Sequence, residues 1–208
     1  MSHASDTFPL LENVSRETCL RLQTLQGLVE KWTKTINLVA NSTIPDAFKR
    51  HIVDSAQIFD LAPQTAQIWA DLGTGGGFPG LVIACMAVEK NPRLKLILVE
   101  SDQRKATFLR HAAQTLDLMI EIRAERIETT TPINADVISA RAVAPLRQLC
   151  NFTHRHLASG GIALLHKGEK HADEVMIARQ HWNFDLTQIE SITDPAAVIL
   201  RIEGLTHV

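Results

Sequence analysis

The chain reads as an α/β protein with a doubly wound, seven-stranded and mostly parallel sheet that ends in an antiparallel pair, preceded by a helical extension. Three observations predict this. From about residue 63 onward, short apolar runs alternate with segments of helical periodicity. Between the first run, Ile68-Trp69-Ala70, and the helix-like Leu81 to Val88 stands Asp71-Leu72-Gly73-Thr74-Gly75-Gly76-Gly77-Phe78-Pro79-Gly80, where a strand breaks into glycines before a helix. The last two strand-like segments are joined by Ser191-Ile192-Thr193-Asp194-Pro195, too short for a crossover helix, so they pair as a hairpin.

Residues 1–62 form the extension and 63–208 the main domain, with the first ten or so residues expected to be disordered. In the extension, Leu25, Leu28, Val29, Trp32 and Ile36 recur at helical spacing over 15–36, with Ser15 as the cap. A second helix is expected from about Pro45 to Phe59, with Phe48, Ile52, Ala56 and Phe59 on one side, and Pro63 breaks it. Strands are expected near 67–72, 94–100, 118–123, 135–140, 161–166, 183–190 and 196–203. Helices fill 79–89, 102–116, 145–158 and 171–181, with Pro79 suited to a first helical position. The first strands are apolar throughout, as when both faces of a sheet are covered.

In such a sheet a ligand lies beyond the carboxyl ends of the strands. Gly73 to Phe78 follow strand one, Glu100 and Ser101 strand two, Arg123 to Glu125 strand three, Ser139 to Arg141 strand four, and Lys167-Gly168 strand five. Glu100, about twenty residues beyond the loop, suits a ribose diol. Gly75-x-Gly77-x-x-Gly80 has the dinucleotide spacing, and Asp71-x-Gly73-x-Gly75-x-Gly77 has that of S-adenosylmethionine (SAM) enzymes. Charge separates the two. A pyrophosphate needs bare N–H groups and no carboxylate nearby, whereas the ammonium of SAM is complemented by Asp71. A nicotinamide enzyme also commonly uses a tyrosine in its proton relay, and the chain contains none.

At 208 residues and 45% hydrophobic content, one such domain and a modest extension can bury a full core. The net charge of −2 argues against a nucleic-acid binder coated in basic residues, though not against a single basic face. Lys31, Lys34, Lys49, Arg50, Arg104, Lys105, Arg110, Arg141, Arg147 and Lys167 could form one. Three widely spaced cysteines suit neither a disulfide framework nor a zinc site, and no run is long enough to cross a membrane. The start of the chain lacks a signal-peptide pattern, so a reduced, cytoplasmic protein is expected. His154-x-His156 points two ways on a helix, and no metal site is expected.

Several segments together resemble one family, the small-subunit rRNA guanine-N7 methyltransferases, RsmG, also called GidB. They are Trp32-x-x-x-x-Asn37-Leu38, His51-Ile52-Val53-Asp54-Ser55, the Asp71–Gly80 loop, Leu98-Val99-Glu100-Ser101 with Arg104-Lys105, Arg123-Ala124-Glu125, Ser139-Ala140-Arg141-Ala142 and Lys167-Gly168. The resemblance implies a Rossmann-like class I SAM-dependent methyltransferase acting on N7 of one guanine in the 530 loop of 16S rRNA. It implies that Gly73 and Phe78 contact SAM, with Gly75 in the same loop, that Ala124 and Glu125 line the adenine pocket, and that Arg141 closes the site. Glu100 stands where the family more often has Asp. Arg104, Lys105, Arg141 and Lys167 are the candidates for phosphates of the RNA. Guanine N7 carries a lone pair and no proton, so no catalytic base is expected. The substrate is expected within the small ribosomal subunit or an assembly intermediate, and the enzyme as a monomer. Trp32 is read as helix-packing core, and His51 and Asp54, one turn apart, as a brace between extension and domain. Rival readings are a small-molecule methyltransferase, a nicotinamide oxidoreductase and a non-enzymatic binding module.

Overall fold

The computed structural model describes residues 14–208, so the expected disorder of the first ten residues lies outside the described part. A single long helix, α1 (Arg16–Ile36), opens it. The Ser15 hydroxyl caps α1 by accepting from the Thr18 amide at 3.2 Å. Asn37 ends it in the left-handed region, with φ at 32°. Leu22, Leu25 and Val29 are buried, each worth about 2 kcal/mol in transfer free energy before the cost of ordering the chain.

The expected second helix is not one α-helix. Residues Asn41–Asp46 form a 3₁₀ turn, Phe48–Val53 a π-helical turn, α2 (Asp54–Ala56) one short α turn, and Phe59–Leu61 another 3₁₀ turn. The physical reason is visible at Asp54. Its amide bonds to the carbonyls of His51 and Lys49, bypassing Arg50, whose carbonyl instead accepts from Arg141 Nη1 at 3.0 Å. A side chain from the sheet has taken the α-helical acceptor, and the turn widens to compensate.

The remaining elements follow the expected alternation: β1 (Ile68–Leu72), α3 (Gly80–Lys90), β2 (Lys95–Val99), α4 (Gln103–Thr115), β3 (Ile120–Arg123), β4 (Ala135–Arg141), α5 (Leu146–His156), β5 (Leu157–Lys167), α6 (His171–Ala178), β6 (Trp182–Glu190) and β7 (Val198–His207). Their order in the seven-stranded sheet is β3-β2-β1-β4-β5-β7-β6. The five strands β1 to β5 pair in parallel, and β7 runs antiparallel to both β5 and β6. Strand β5 begins earlier than the apolar pattern suggests, because a register shift opposite β4 admits Gly160 and Gly161 before regular pairing resumes at Ile162. Helix α3 begins at Gly80, with Pro79 at the capping position one residue before it.

Alternate residues of the central strands face opposite layers. Trp69, Leu96 and Leu98 pack with α1, α3 and α4, and the same cluster takes in Ile52, Val53 and Ile58 of the extension. Ala70, Leu72, Ile97 and Val99 pack with α5, Ala178 of α6 and Trp182 on the other face. Residues 14–62 therefore share a core with the sheet. Trp32 rests on Phe108 of α4, ring centroids 5.6 Å apart, a packing role as expected. Glu89 of α3 fastens the start of α1, accepting from the Ser15 amide at 2.9 Å and the Thr18 hydroxyl at 2.7 Å.

Gly80 sits where α3 crosses the sheet. A Cβ there would lie 2.0 Å from Leu98 Cδ2 and 2.8 Å from Asp71 Oδ2. Gly80→Ala is expected to destabilise the fold by roughly 1–3 kcal/mol through overpacking, measured by urea unfolding at constant m-value.

Candidate cofactor site

The glycine segment folds into a loop that satisfies its own amides. Thr74 N donates to Val99 O, Gly75 N to Glu100 Oε2, Gly77 N and Phe78 N to Thr74 O, and Gly80 N to Asp71 Oδ2, all at 2.8–3.1 Å. None of these five amides is bare. The same fact removes the cradle a pyrophosphate needs. Close approach remains the reason for glycine at position 73. It has φ at +66°, and a Cβ there would meet Val143 Cγ2 at 2.8 Å.

Asp71 does not reach a ligand either. It is wholly buried, accepting from Ser139 Oγ at 2.7 Å on one oxygen and from Gly80 N at 2.9 Å on the other. Trp69 Nε1 in turn donates to Ser139 Oγ at 2.9 Å. Asp71 thus locks the end of β1 to the start of α3 and to β4, which corrects its reading as a partner for the ammonium of SAM. Burial pushes its carboxyl up to about 6.

Glu100 bridges two turns, with Oε2 on Gly75 N and Oε1 on Asp102 N, both at 2.8 Å. A carboxylate offers about four acceptor positions, so two remain for hydroxyl donors. It borders a cavity of about 300 Å³ at the ends of β1, β2 and β3, whose walls include Gly73, Ser101, Glu125, Ile127, Val143 and Phe152. Apolar Val99, Ile127, Val143 and Phe152 share its walls with polar and charged groups such as Arg126, Glu128 and Gln148, a fit for a nucleoside, which joins an apolar base face to a polar ribose. Glu125 accepts from the Thr130 hydroxyl. Ala124 lies outside the cavity wall, its carbonyl bound to Gln103 Nε2 at 3.0 Å.

A second cavity, of about 840 Å³, opens between the extension, the ends of β4 and β5, and the 191–197 loop. The segment 141–144 separates the two: Arg141 and Ala142 face the larger, Val143 and Ala144 the smaller. Ala142 makes this turn with φ at 54°, a left-handed conformation that costs a non-glycine residue of order 1 kcal/mol. Arg141 is gripped by one turn of the extension. Its Nη1 donates to Arg50 O and Asp54 Oδ2, both at 3.0 Å, and its Nη2 to His51 Nδ1 at 2.9 Å. Its guanidinium lies 5.3 Å from the Phe78 ring, against which His51 stacks at 5.1 Å. Phe78 is buried by these partners and lines neither cavity.

An arginine cannot give up its proton, so His51 Nδ1 is the acceptor and its Nε2 carries the hydrogen. That hydrogen goes to Thr43 Oγ1 at 2.8 Å, and the Thr43 hydroxyl donates to Ala40 O at 2.6 Å. Asp54 and His51 therefore pair with Arg141 and not with each other. The other Asp54 oxygen accepts from Gln57 Nε2 and the Thr193 hydroxyl, each at 2.8 Å. Burial opposes the Asp54 charge, but His166, Arg141 and these hydrogen bonds outweigh it and hold the carboxyl below its usual range.

The remaining basic candidates separate by position. Lys167 lines the larger cavity, but its ammonium is bound to Glu174 at 2.6 Å and to Ala144 O at 3.0 Å. Arg104 and Lys105 stand on α4 beside the Asp102 cap, outside both cavities, with Arg104 3.3 Å from Asp102. Three polar residues of the site were missed in the sequence. His166, buried at the end of β5, donates from Nε2 to Asp54 O at 3.0 Å. Ser191 and Thr193 reach Asp54 from the far hairpin. The place of His166 just before Lys167-Gly168, on the ligand edge of β5, was the available signal; nothing local marks Ser191 or Thr193.

Two groups of this site titrate in opposite senses. Burial and the Arg141 charge push His51 from 6.5 down to about 4, while Asp71 rises from 3.8 to about 6. On acidification through that window the unfolded chain protonates His51 first, which removes stability, while folded Asp71 protonates first, which adds it. Each effect amounts to about 3 kcal/mol at most. His51→Gln keeps an acceptor for Arg141 and removes one titration. It should gain stability relative to the unsubstituted protein as pH falls from 6.5 to about 4, measured by urea unfolding at matched pH.

Comparison with known proteins accords with this architecture. Residues 18–198 match the family model for GidB, rRNA small subunit methyltransferase G. A ribosomal RNA small subunit methyltransferase G from Cereibacter sphaeroides (strain ATCC 17029) is 48% identical over 196 residues, 94% of this chain and 95% of its own length. Its counterpart from Ruegeria pomeroyi is 47% identical over 196 residues, 94% of this chain and 96% of its own. Among solved structures, a SAM-dependent methyltransferase from Aquifex aeolicus superposes with a TM-score of 0.57 at 13% identity, over 76% of this chain and 92% of that one. With the class I SAM-dependent methyltransferase fold and a match across most of its length, the chain belongs to the rRNA small subunit methyltransferase G family.

Proposed function

We propose that this enzyme transfers the methyl group of SAM to N7 of a guanine in the 530 loop of 16S rRNA. The observation that carries the cofactor side is the slot of about 300 Å³ walled by Gly73 with Glu100 at its edge, in a chain of this family. SAM supplies an electrophilic methyl on a sulfonium centre. The Glu100 carboxylate holds the ribose diol, Val99, Ile127 and Phe152 offer apolar contact to the adenine, and Glu125 meets its edge, with Ala124 joining it only by moving in from outside the wall. Gly73 and Gly75 admit the cofactor close to the backbone. Phe78 acts from behind by backing Arg141, which reaches the amino acid end or the incoming nucleotide.

Guanine N7 has an in-plane lone pair and no proton, so no residue has to act as a base. The contribution of the protein is alignment at near-attack distance. N7 is hidden in the deep A-form major groove, so the nucleotide enters splayed out, and the larger cavity beyond Arg141 has room for it. Arg104 and Lys105 are proposed to meet flanking phosphates; Lys167 does so only by releasing Glu174. The extension over 1–62 frames the RNA side and 63–208 the cofactor side. The protein is proposed to act as a cytoplasmic monomer on the small subunit or an assembly intermediate. Among the described residues no helix is long and apolar enough to cross a membrane.

The test is methyl transfer from labelled SAM to small subunits taken from cells lacking this activity, with the modified nucleoside mapped by digestion and mass spectrometry. Label in a single 7-methylguanosine of the 530 loop is the expected result. SAM binding without label in rRNA would move the substrate to a small molecule. Gly73→Asp, which adds a side chain against Val143 at a φ of +66° and a charge beside Glu100, is expected to abolish SAM binding by calorimetry.

A further inference from the structure

We infer that His51 and Asp54 are positioning residues that set the orientation of Arg141, so that the extension tunes the site it covers. This rests on the reading of Arg141 as a contact to cofactor or nucleotide. A guanidinium has five N–H groups. Three are engaged by residues 50, 51 and 54, the first two in the π-helical turn and the third at the start of α2 directly after it. The partners differ in kind: a backbone carbonyl, a neutral imidazole and a carboxylate. Together they fix the plane of the group as well as its place.

The grip is oriented from outside as well. Thr43 holds the far nitrogen of His51, so the ring can offer Nδ1 only as an acceptor. Gln57 and Thr193 hold the far oxygen of Asp54, which leaves Oδ2 facing Arg141. The Phe78 ring carries both His51 and Arg141, so the glycine loop and the extension meet through this guanidinium. Two N–H groups of Arg141 remain for a ligand, and their direction is set by the three that are spent. A purely structural brace needs no such arrangement, because the shared core with Ile52, Val53 and Ile58 already fastens the extension to the sheet.

The two roles part in a double-mutant cycle read by SAM affinity and by kcat and KM on small subunits. Arg141→Ala is expected to weaken SAM binding or raise KM for the subunit tenfold or more. His51→Ala and Asp54→Asn should each reproduce several-fold of that loss, and His51→Gln, which keeps the acceptor, should recover to within two- to threefold. In the Arg141→Ala background, His51→Ala and Asp54→Asn should cost nothing further. Folding of every variant is checked by its melting transition, and a variant that does not fold leaves the cycle to be closed with the other. Additive losses, or unchanged affinity and kinetics in folded His51→Ala and Asp54→Asn, overturn the positioning role while Arg141→Ala still shows its own effect. If Arg141→Ala itself changes neither affinity nor turnover, the reading of Arg141 falls and the positioning role with it.

Discussion

The site is organised around one charge, the guanidinium of Arg141. Without it, Asp54 would be a carboxylate with most of its surface removed from water and its guanidinium partner gone, an arrangement that costs several kcal/mol. With it, the extension gains a close ionic tie to the end of β4. The unusual π turn over Phe48–Val53 is the backbone response to that tie, since the carbonyl of Arg50 serves the arginine in place of the helix. Local irregularity here has a specific cause, the diversion of one hydrogen-bond acceptor.

A second buried polar group organises the other half. Asp71, Ser139 and Trp69 form a chain of hydrogen bonds beneath the glycine loop, and every polar atom of the carboxylate is satisfied. The glycine loop is thereby tied down from below, and its amides are taken up by Thr74 and Asp71 within the segment and by Val99 and Glu100 of the neighbouring strand end. The slot beside it is left with side-chain groups such as Glu100 in place of free amides. That is a different solution from an amide cradle, and it suits a ligand whose recognition rests on a ribose and a purine more than on phosphate charge.

The elements were legible in the sequence wherever periodicity decides them. Helix α1, the parallel strands and the C-terminal hairpin all follow from apolar spacing and loop length. The Asp71–Gly80 segment was legible as a tight strand-to-helix loop because glycines must sit where φ is positive or backbones meet. What escaped was set by long-range contact. The second helix could not be seen to widen, because its cause lies in Arg141, 91 residues away from Arg50. Asp71 reads as ligand-facing in sequence and is turned inward by Ser139 of β4. His166, Ser191 and Thr193 were invisible as site residues because their partner is Asp54, distant in sequence. Glu100 could be placed at the cavity edge from sequence because the end of β2 is a position that alternation alone locates.

The strand order has a consequence for how the protein is made. Strand β7 lies between β5 and β6, so the sheet cannot be joined to β6 until the strand that follows β6 in the chain has been synthesised. The same late segment reaches back to the early one, with Arg201 of β7 donating to Leu61 O at 3.0 Å and Thr193 to Asp54. A ribosome emits the extension first, yet these partners leave the exit tunnel more than a hundred residues later. Until then Asp54 lacks the Thr193 hydroxyl, the carbonyl of Leu61 lacks its arginine, and the wall of the larger cavity is missing on that side. A protein built this way completes its larger cavity as a closing event of its own synthesis, with the most non-local contacts formed last.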